Sequence, residues 1–125
     1  MNLDNVEFVG FKTKNELKEY YQASDIFCSQ TRGDVWGLVI NEAMAMGLPV
    51  ITTDKCVAGL ELVHSGQNGF IVSVEDYKSL SHCIKKIGDN EELINRMSEK
   101  SRNIIKTYTV ENMAYVHSCI LKNKI

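Results

Sequence analysis

The chain has 125 residues, 44 % hydrophobic and 24 % charged, with a formal net charge of −2 and one proline, which suits one domain with a buried core and few linkers. Acidic and basic residues are interspersed, so no Lys/Arg stretch offers a nucleic-acid footprint, and no apolar run approaches the roughly 20 residues of a transmembrane segment. The cysteines Cys28, Cys56, Cys83 and Cys119 show no C-x-x-C pair, no His at metal-ligand spacing and no preceding signal peptide; they read as reduced thiols of a cytoplasmic protein, with Cys28, Cys83 and Cys119 buried among apolar neighbours.

In chain order, Val6 to Val9 alternates before Gly10 and predicts a short strand. Asn15 to Ala23 predicts a helix with Leu17, Tyr20 and Tyr21 on one side. Asp25 to Ser29 predicts a second strand, apolar enough to be covered on both faces. Thr31 to Gly37 is a loop, and Leu38 to Met46 a helix stopped by Gly47 and Pro49. Pro49 to Thr52 predicts the third strand, Glu61 to Val63 a helical turn, Asn68-Gly69 a turn and nothing more, and Phe70 to Val72 a fourth strand. Helical patterns then run over Asp76 to Ile87, Glu91 to Tyr108 and Val110 to Leu121, with Gly88-Asp89-Asn90 as a break and Thr109 as an N-cap. This alternation predicts an α/β fold with a parallel sheet. Ligands of such sheets bind at the carboxyl ends of the strands, here the loops Ser29 to Gly37 and Thr53 to Gly59.

The segment from Gly33 to Ala45 carries the most chemistry. A helix beginning near Gly37 presents free backbone amides and partial positive charge, and a glycine there leaves room for a phosphate to approach. Asp34 lies just before that helix, and Glu42 lies on the order of 7 Å further along its axis. Carboxylates accept hydrogen bonds, so this pair suits the hydroxyls of a ribose and a hexose flanking a diphosphate. Each residue also has a plainer role. Asp34 can close an Asx-turn, Glu42 can be a solvated helix residue, Trp36 can anchor packing, and Arg32 and Lys55 can be surface charges.

Asp34-x7-Glu42, followed by Ala43-Met44-Ala45-Met46-Gly47-Leu48-Pro49-Val50-Ile51, resembles the E-x7-E region of family 4 glycosyltransferases. Ala23-Ser24-Asp25-Ile26-Phe27, Glu61-Leu62-Val63 with Gly66 to Val72, and Tyr108-Thr109-Val110-Glu111 are similar to flanking stretches of that family, in the same order. The resemblance implies a Rossmann-like, three-layer α/β/α domain with a parallel sheet and a helical C-terminus. It would be the C-terminal, donor-binding half of a GT-B glycosyltransferase, spanning 1–125 without the N-terminal acceptor domain. Carried over, Glu42 would bind the ribose, and Asp34, one methylene shorter than the usual Glu, would contact the transferred sugar; these two are the candidate catalytic residues. Trp36, Gly37 and Leu38 would line the diphosphate and sugar, Gly10 and Phe11 would run beside the base, and Arg32 would meet phosphate.

The resemblance implies a nucleotide-diphosphate sugar as substrate, retaining transfer to a glycan or lipid-linked acceptor in polysaccharide biosynthesis, and neither metal nor other cofactor. The partner would be the missing acceptor domain or a partner chain, with weak self-association through the open cleft and no nucleic acid. Such a protein would be cytoplasmic, reaching the inner face of the membrane through the missing domain, and the chain alone would be inactive. The alternative is a non-catalytic α/β binding or interaction module. A receiver domain is disfavoured because Phe11-Lys12-Thr13-Lys14 stands where an acidic pair belongs, and neither G-x-G-x-x-G nor G-x-x-x-x-G-K-[ST] occurs.

Overall fold

The structure, a computed structural model, describes residues 3–123. In order these form α1 (Lys14–Ala23), β1 (Phe27–Ser29), α2 (Leu38–Ala45), β2 (Val50–Thr53), α3 (Val57–Leu62), β3 (Gly69–Val72), α4 (Tyr77–Gly88), α5 (Glu91–Ile105) and α6 (Val110–Asn123). The strands pair in parallel in the order β1-β2-β3, with Ile51 opposite Cys28 on one side and Phe70 on the other.

Alternation along the strands divides the core between the two sheet faces. Val50 packs with Ile40, Ala43 and Met44 of α2, Leu62 of α3 and Ile105 of α5. Its neighbour Ile51 packs with Ile87 of α4 and with Leu93 and Met97 of α5. Helices therefore cover both faces, and the expected three-layer α/β/α arrangement is present.

The helix boundaries follow from side-chain chemistry. Thr13 and Glu16 form a capping box at α1. Asp76 caps α4 and Asn90 caps α5; Thr109, the N-cap that the sequence predicts, accepts at Oγ1 from the Asn112 amide at 3.1 Å. At the end of α2, Gly47 takes a left-handed φ of +76°. The amides of Gly47 and Leu48 then reach back to the carbonyls of Met44 and Ala43, a Schellman closure that frees the chain to enter β2. On α5 the buried residues recur every fourth position, Leu93, Met97, Ser101 and Ile105.

Several expectations need correction. Val6 to Val9 is not a strand. The alternating pattern is there, but a strand needs a ladder partner, and the segment pairs with none of the described strands; Phe8 is 95 % exposed. The strand expected from Asp25 narrows to Phe27–Ser29 and is an edge, with Cys28 exposed rather than buried. Cys83 and Cys119 are only half-buried, so Cys56 is the one fully buried thiol among the described residues; all four cysteines are free.

The helical turn expected at Glu61 to Val63 is the end of α3, which begins at Val57. Ala58-Gly59 reads locally as loop, yet Gly59 lies inside the helix, where a side chain would strike the Thr52 methyl. The helix expected to reach Tyr108 stops at Ile105. Asn68 is more than a turn residue: it is fully buried, accepting from the His64 amide at 2.7 Å and donating to the Leu62 carbonyl at 3.1 Å.

Candidate functional site

The loop between β1 and α2 is fixed from below by the end of β2. Thr52 Oγ1 donates to the Ser29 carbonyl at 3.1 Å, and Thr53 Oγ1 donates to the Thr31 carbonyl at 2.7 Å. The Asp34 amide donates to the Lys55 carbonyl at 3.0 Å, and the Trp36 carbonyl accepts from the Ala58 amide at 2.8 Å. Both threonines are buried, and their hydroxyls spend their hydrogen bonds on holding this loop.

Within the loop, Asp34 closes an Asx-turn, accepting from the Trp36 amide at 3.2 Å. Trp36 is half-buried against the core and donates its indole N–H to Asn41 Oδ1 at 2.9 Å. Gly37 follows with φ +97° and ψ +66°, and no side chain caps α2. A Cβ at Gly37 would sit 2.7 Å from Cys56 Sγ and 3.6 Å from Asp34 Oδ2. The turn thus requires glycine twice, for its backbone and for its space. The first amides of α2, Leu38 and Val39 among them, open on a rigid collar beside the Asp34 carboxylate.

Glu42 lies on the flank of α2 that faces α1. Its Oε2 accepts from the Tyr21 hydroxyl at 3.1 Å. Together they line a groove of about 590 Å³ with Lys14, Leu17, Lys18, Ala45 and Met46. Burial first, and then the hydrogen bond and charge of Glu42, push the Tyr21 phenol up to about 12. The Tyr21 ring packs against Phe27 at 5.8 Å between centroids, tilted by 56°.

The other expected residues are placed apart. Arg32 pairs with Glu75 at 2.8 Å, both side chains largely exposed. Its guanidinium is therefore directed across the carboxyl ends of the strands rather than toward Glu42. Gly10 has a φ of +66°, and Phe11 is 95 % exposed, so neither contributes a formed wall. Sequence reasoning missed Tyr21 as a partner of Glu42, Lys14 and Lys18 in the same groove, and Cys56 beneath Gly37. A hydroxyl on the apolar side of α1 was the one signal pointing to Tyr21, because a half-buried phenol seeks a partner.

Among the described residues, no three His, Cys, Asp or Glu side chains converge as a metal site. No helix of the described residues is long and apolar enough to cross a membrane.

Comparison with known proteins gives this geometry its context. An uncharacterized glycosyltransferase of Haemophilus influenzae is 32 % identical over 110 residues, covering 88 % of this chain and 31 % of that protein. Sucrose-phosphate synthase from Thermosynechococcus elongatus superposes with a TM-score of 0.85 at 25 % identity, over 96 % of this chain and 30 % of that one. The C-terminal domain of a glycosyl transferase group 1 family protein (LpcC) from Francisella tularensis has the same fold, with a TM-score of 0.73 at 23 % identity over 84 % of this chain and 53 % of that one. The chain thus spans about a third of the length of the first two of these proteins, and its α/β fold is that of one part of a GT-B glycosyltransferase. Residues 1–104 match the family described as glycosyl transferases group 1, and the chain belongs to that family.

Proposed function

We propose that this chain is the donor-binding domain of a retaining glycosyltransferase. It would take a nucleoside-diphosphate sugar at the collar of α2 and serve transfer to a glycan or lipid-linked acceptor. The observation that carries the reading is an uncapped helix N-terminus at a strand carboxyl end, built on Gly37, with the Asp34 carboxylate beside it and the Glu42 carboxylate further along the same helix. The amides of α2 suit the diphosphate. Glu42, in its groove, suits the hydroxyls of the ribose, and Asp34, over Gly37, those of the sugar.

Asp34 plays its structural and its ligand role together in this reading. One carboxylate oxygen accepts from the Trp36 amide, and the second retains lone pairs for a hydroxyl. Binding draws on backbone amides and carboxylates, with no resident metal invoked. Curated relatives extend well beyond the matched region, and transfer depends on positioning an acceptor and stabilising charge across a cleft. The isolated chain is therefore expected to bind donor without turning it over.

The test is a titration of UDP and GDP, each with a sugar conjugate, into the chain and into Glu42→Ala, followed by backbone amide NMR shifts. Affinity in the sub-millimolar range, roughly −4 to −5 kcal/mol, is expected. Shifts at Gly37 and Leu38 that disappear in the variant support the reading and identify the base. Absence of binding at millimolar nucleotide overturns it in favour of a non-catalytic module of the same fold.

A further inference from the structure

We propose that Tyr21 is a positioning residue for Glu42: its hydroxyl, from α1, holds the Glu42 carboxylate on α2 in the orientation that receives a vicinal diol. This inference rests on the donor-binding reading above and adds to it a residue from a different element. A glutamate on an exposed helix flank samples several rotamers, and ordering it costs side-chain entropy that ligand binding must otherwise supply. A donor that fixes the carboxylate beforehand removes part of that cost.

Tyr21 has the properties such a donor needs. Its ring rests on Phe27 and on the core beneath α2, so the hydroxyl is presented from a fixed platform with two rotatable bonds behind it. It contacts Oε2 at 3.1 Å, which engages one lone pair and leaves Oε1 and the remaining pair on Oε2 open to the groove. Lys14 and Lys18 also line the groove, but each carries its charge on a flexible four-carbon stem and neither forms an ion pair with Glu42. The hydroxyl donates as long as it is protonated, and its midpoint near 12 keeps it so throughout the physiological range.

Tyr21→Phe removes the hydroxyl and keeps the packing on Phe27, so it isolates the hydrogen bond. Two measurements on the full chain decide the matter. The first follows the Tyr21 ring carbon by NMR from pH 8 to about 12 in the wild type and in Glu42→Gln. Burial raises the phenol in both, and Tyr21 is expected to titrate at lower pH in Glu42→Gln than in the wild type; an unchanged titration overturns the pairing. The second measures binding of the ribonucleoside diphosphate that binds wild type, and of its 2′,3′-dideoxy analogue.

Tyr21→Phe is expected to weaken the ribonucleotide about fivefold, as loss of one positioned hydrogen bond would, and to leave the dideoxy analogue unchanged. Equal weakening of both nucleotides indicates a merely structural tyrosine and overturns the proposal. Full affinity of Tyr21→Phe for the ribonucleotide overturns it while leaving the donor-binding reading intact. Failure of the wild type to bind any nucleotide removes that reading, and the positioning role with it, whatever the first measurement shows.

Discussion

The two walls of the groove around Glu42 are built in opposite ways. On the α2 side, Ile40, Ala43 and Met44 are wholly buried, the entry is locked by Gly37 over Cys56, and the exit is closed by Gly47. On the α1 side no residue is fully buried; Leu17 and Tyr20 are exposed, and the helix is held by its capping box and by the contacts of Tyr21. The α2 wall owes its position to the core, whereas the α1 wall owes it largely to local capping and to one aromatic side chain. A ligand entering this groove meets one preformed surface and one that can adjust, so affinity lost on the first side reflects damaged architecture and on the second side lost alignment.

The contrast can be broken most sharply at Gly37. Gly37→Ala forces a side chain into a left-handed backbone and against Cys56 Sγ, at 2.7 Å. It is expected to destabilise the fold by about 4 kcal/mol, read as a fall in the urea midpoint, and to abolish nucleotide-induced shifts at Leu38.

Next in size is a matched pair across the groove. Met44→Ala in α2 empties a fully buried site and is expected to cost about 3 kcal/mol. Leu17→Ala in α1, where the residue is 39 % exposed, is expected to cost under about 1 kcal/mol. Equal losses would show that the two walls share one core after all.

The smallest effect is expected at the α1 cap. Thr13→Ala removes the capping box and is expected to cost about 1 kcal/mol, seen as earlier amide exchange in α1 with α2 unaffected. The same cap has a pH signature. The Thr13 amide first, and its hydroxyl second, hold the Glu16 carboxyl below its usual range. A depressed carboxyl stabilises the folded state above its unfolded value and loses that contribution as pH falls through the folded one. The protection of the α1 amides, corrected for the intrinsic exchange rate, is therefore expected to fall on acidification before that of α2, and Glu16→Gln to remove the difference.

The better-built wall is also the one legible in the sequence. From Gly33 to Ile51, the helix, the glycine stop, the proline and the strand follow from punctuation between near neighbours, and the expected Asx-turn at Asp34 is there. What escaped depended on distant partners. Val6 to Val9 alternates like a strand, but pairing is decided by what lies beside it. Thr53 to Gly59 reads as loop in isolation, while the lack of a side chain at Gly59 serves the approach of α3 to Thr52 on the strand behind it. Tyr21 meets Glu42 across 21 positions of sequence, a separation at which no local pattern operates. The place of Arg32 in a ligand-side loop suggests a phosphate contact and says nothing of Glu75 opposite it.

The end of α2 carries a further consequence, for the order in which the molecule assembles. The carbonyl of Gly47 is satisfied by Ser98, 51 positions later, and that of Leu48 by Ser101, 53 positions later. Ser101 is fully buried, so until α5 docks, the carbonyls of the turn into β2 lack the hydroxyl donors that a dry core demands. Closing that loop costs chain entropy before any contact repays it, which places the docking of α5 late and makes it decisive. A nascent chain that has emerged only as far as β3 holds the collar and its ties to β2, yet leaves the carbonyls at the other end of α2 without their donors.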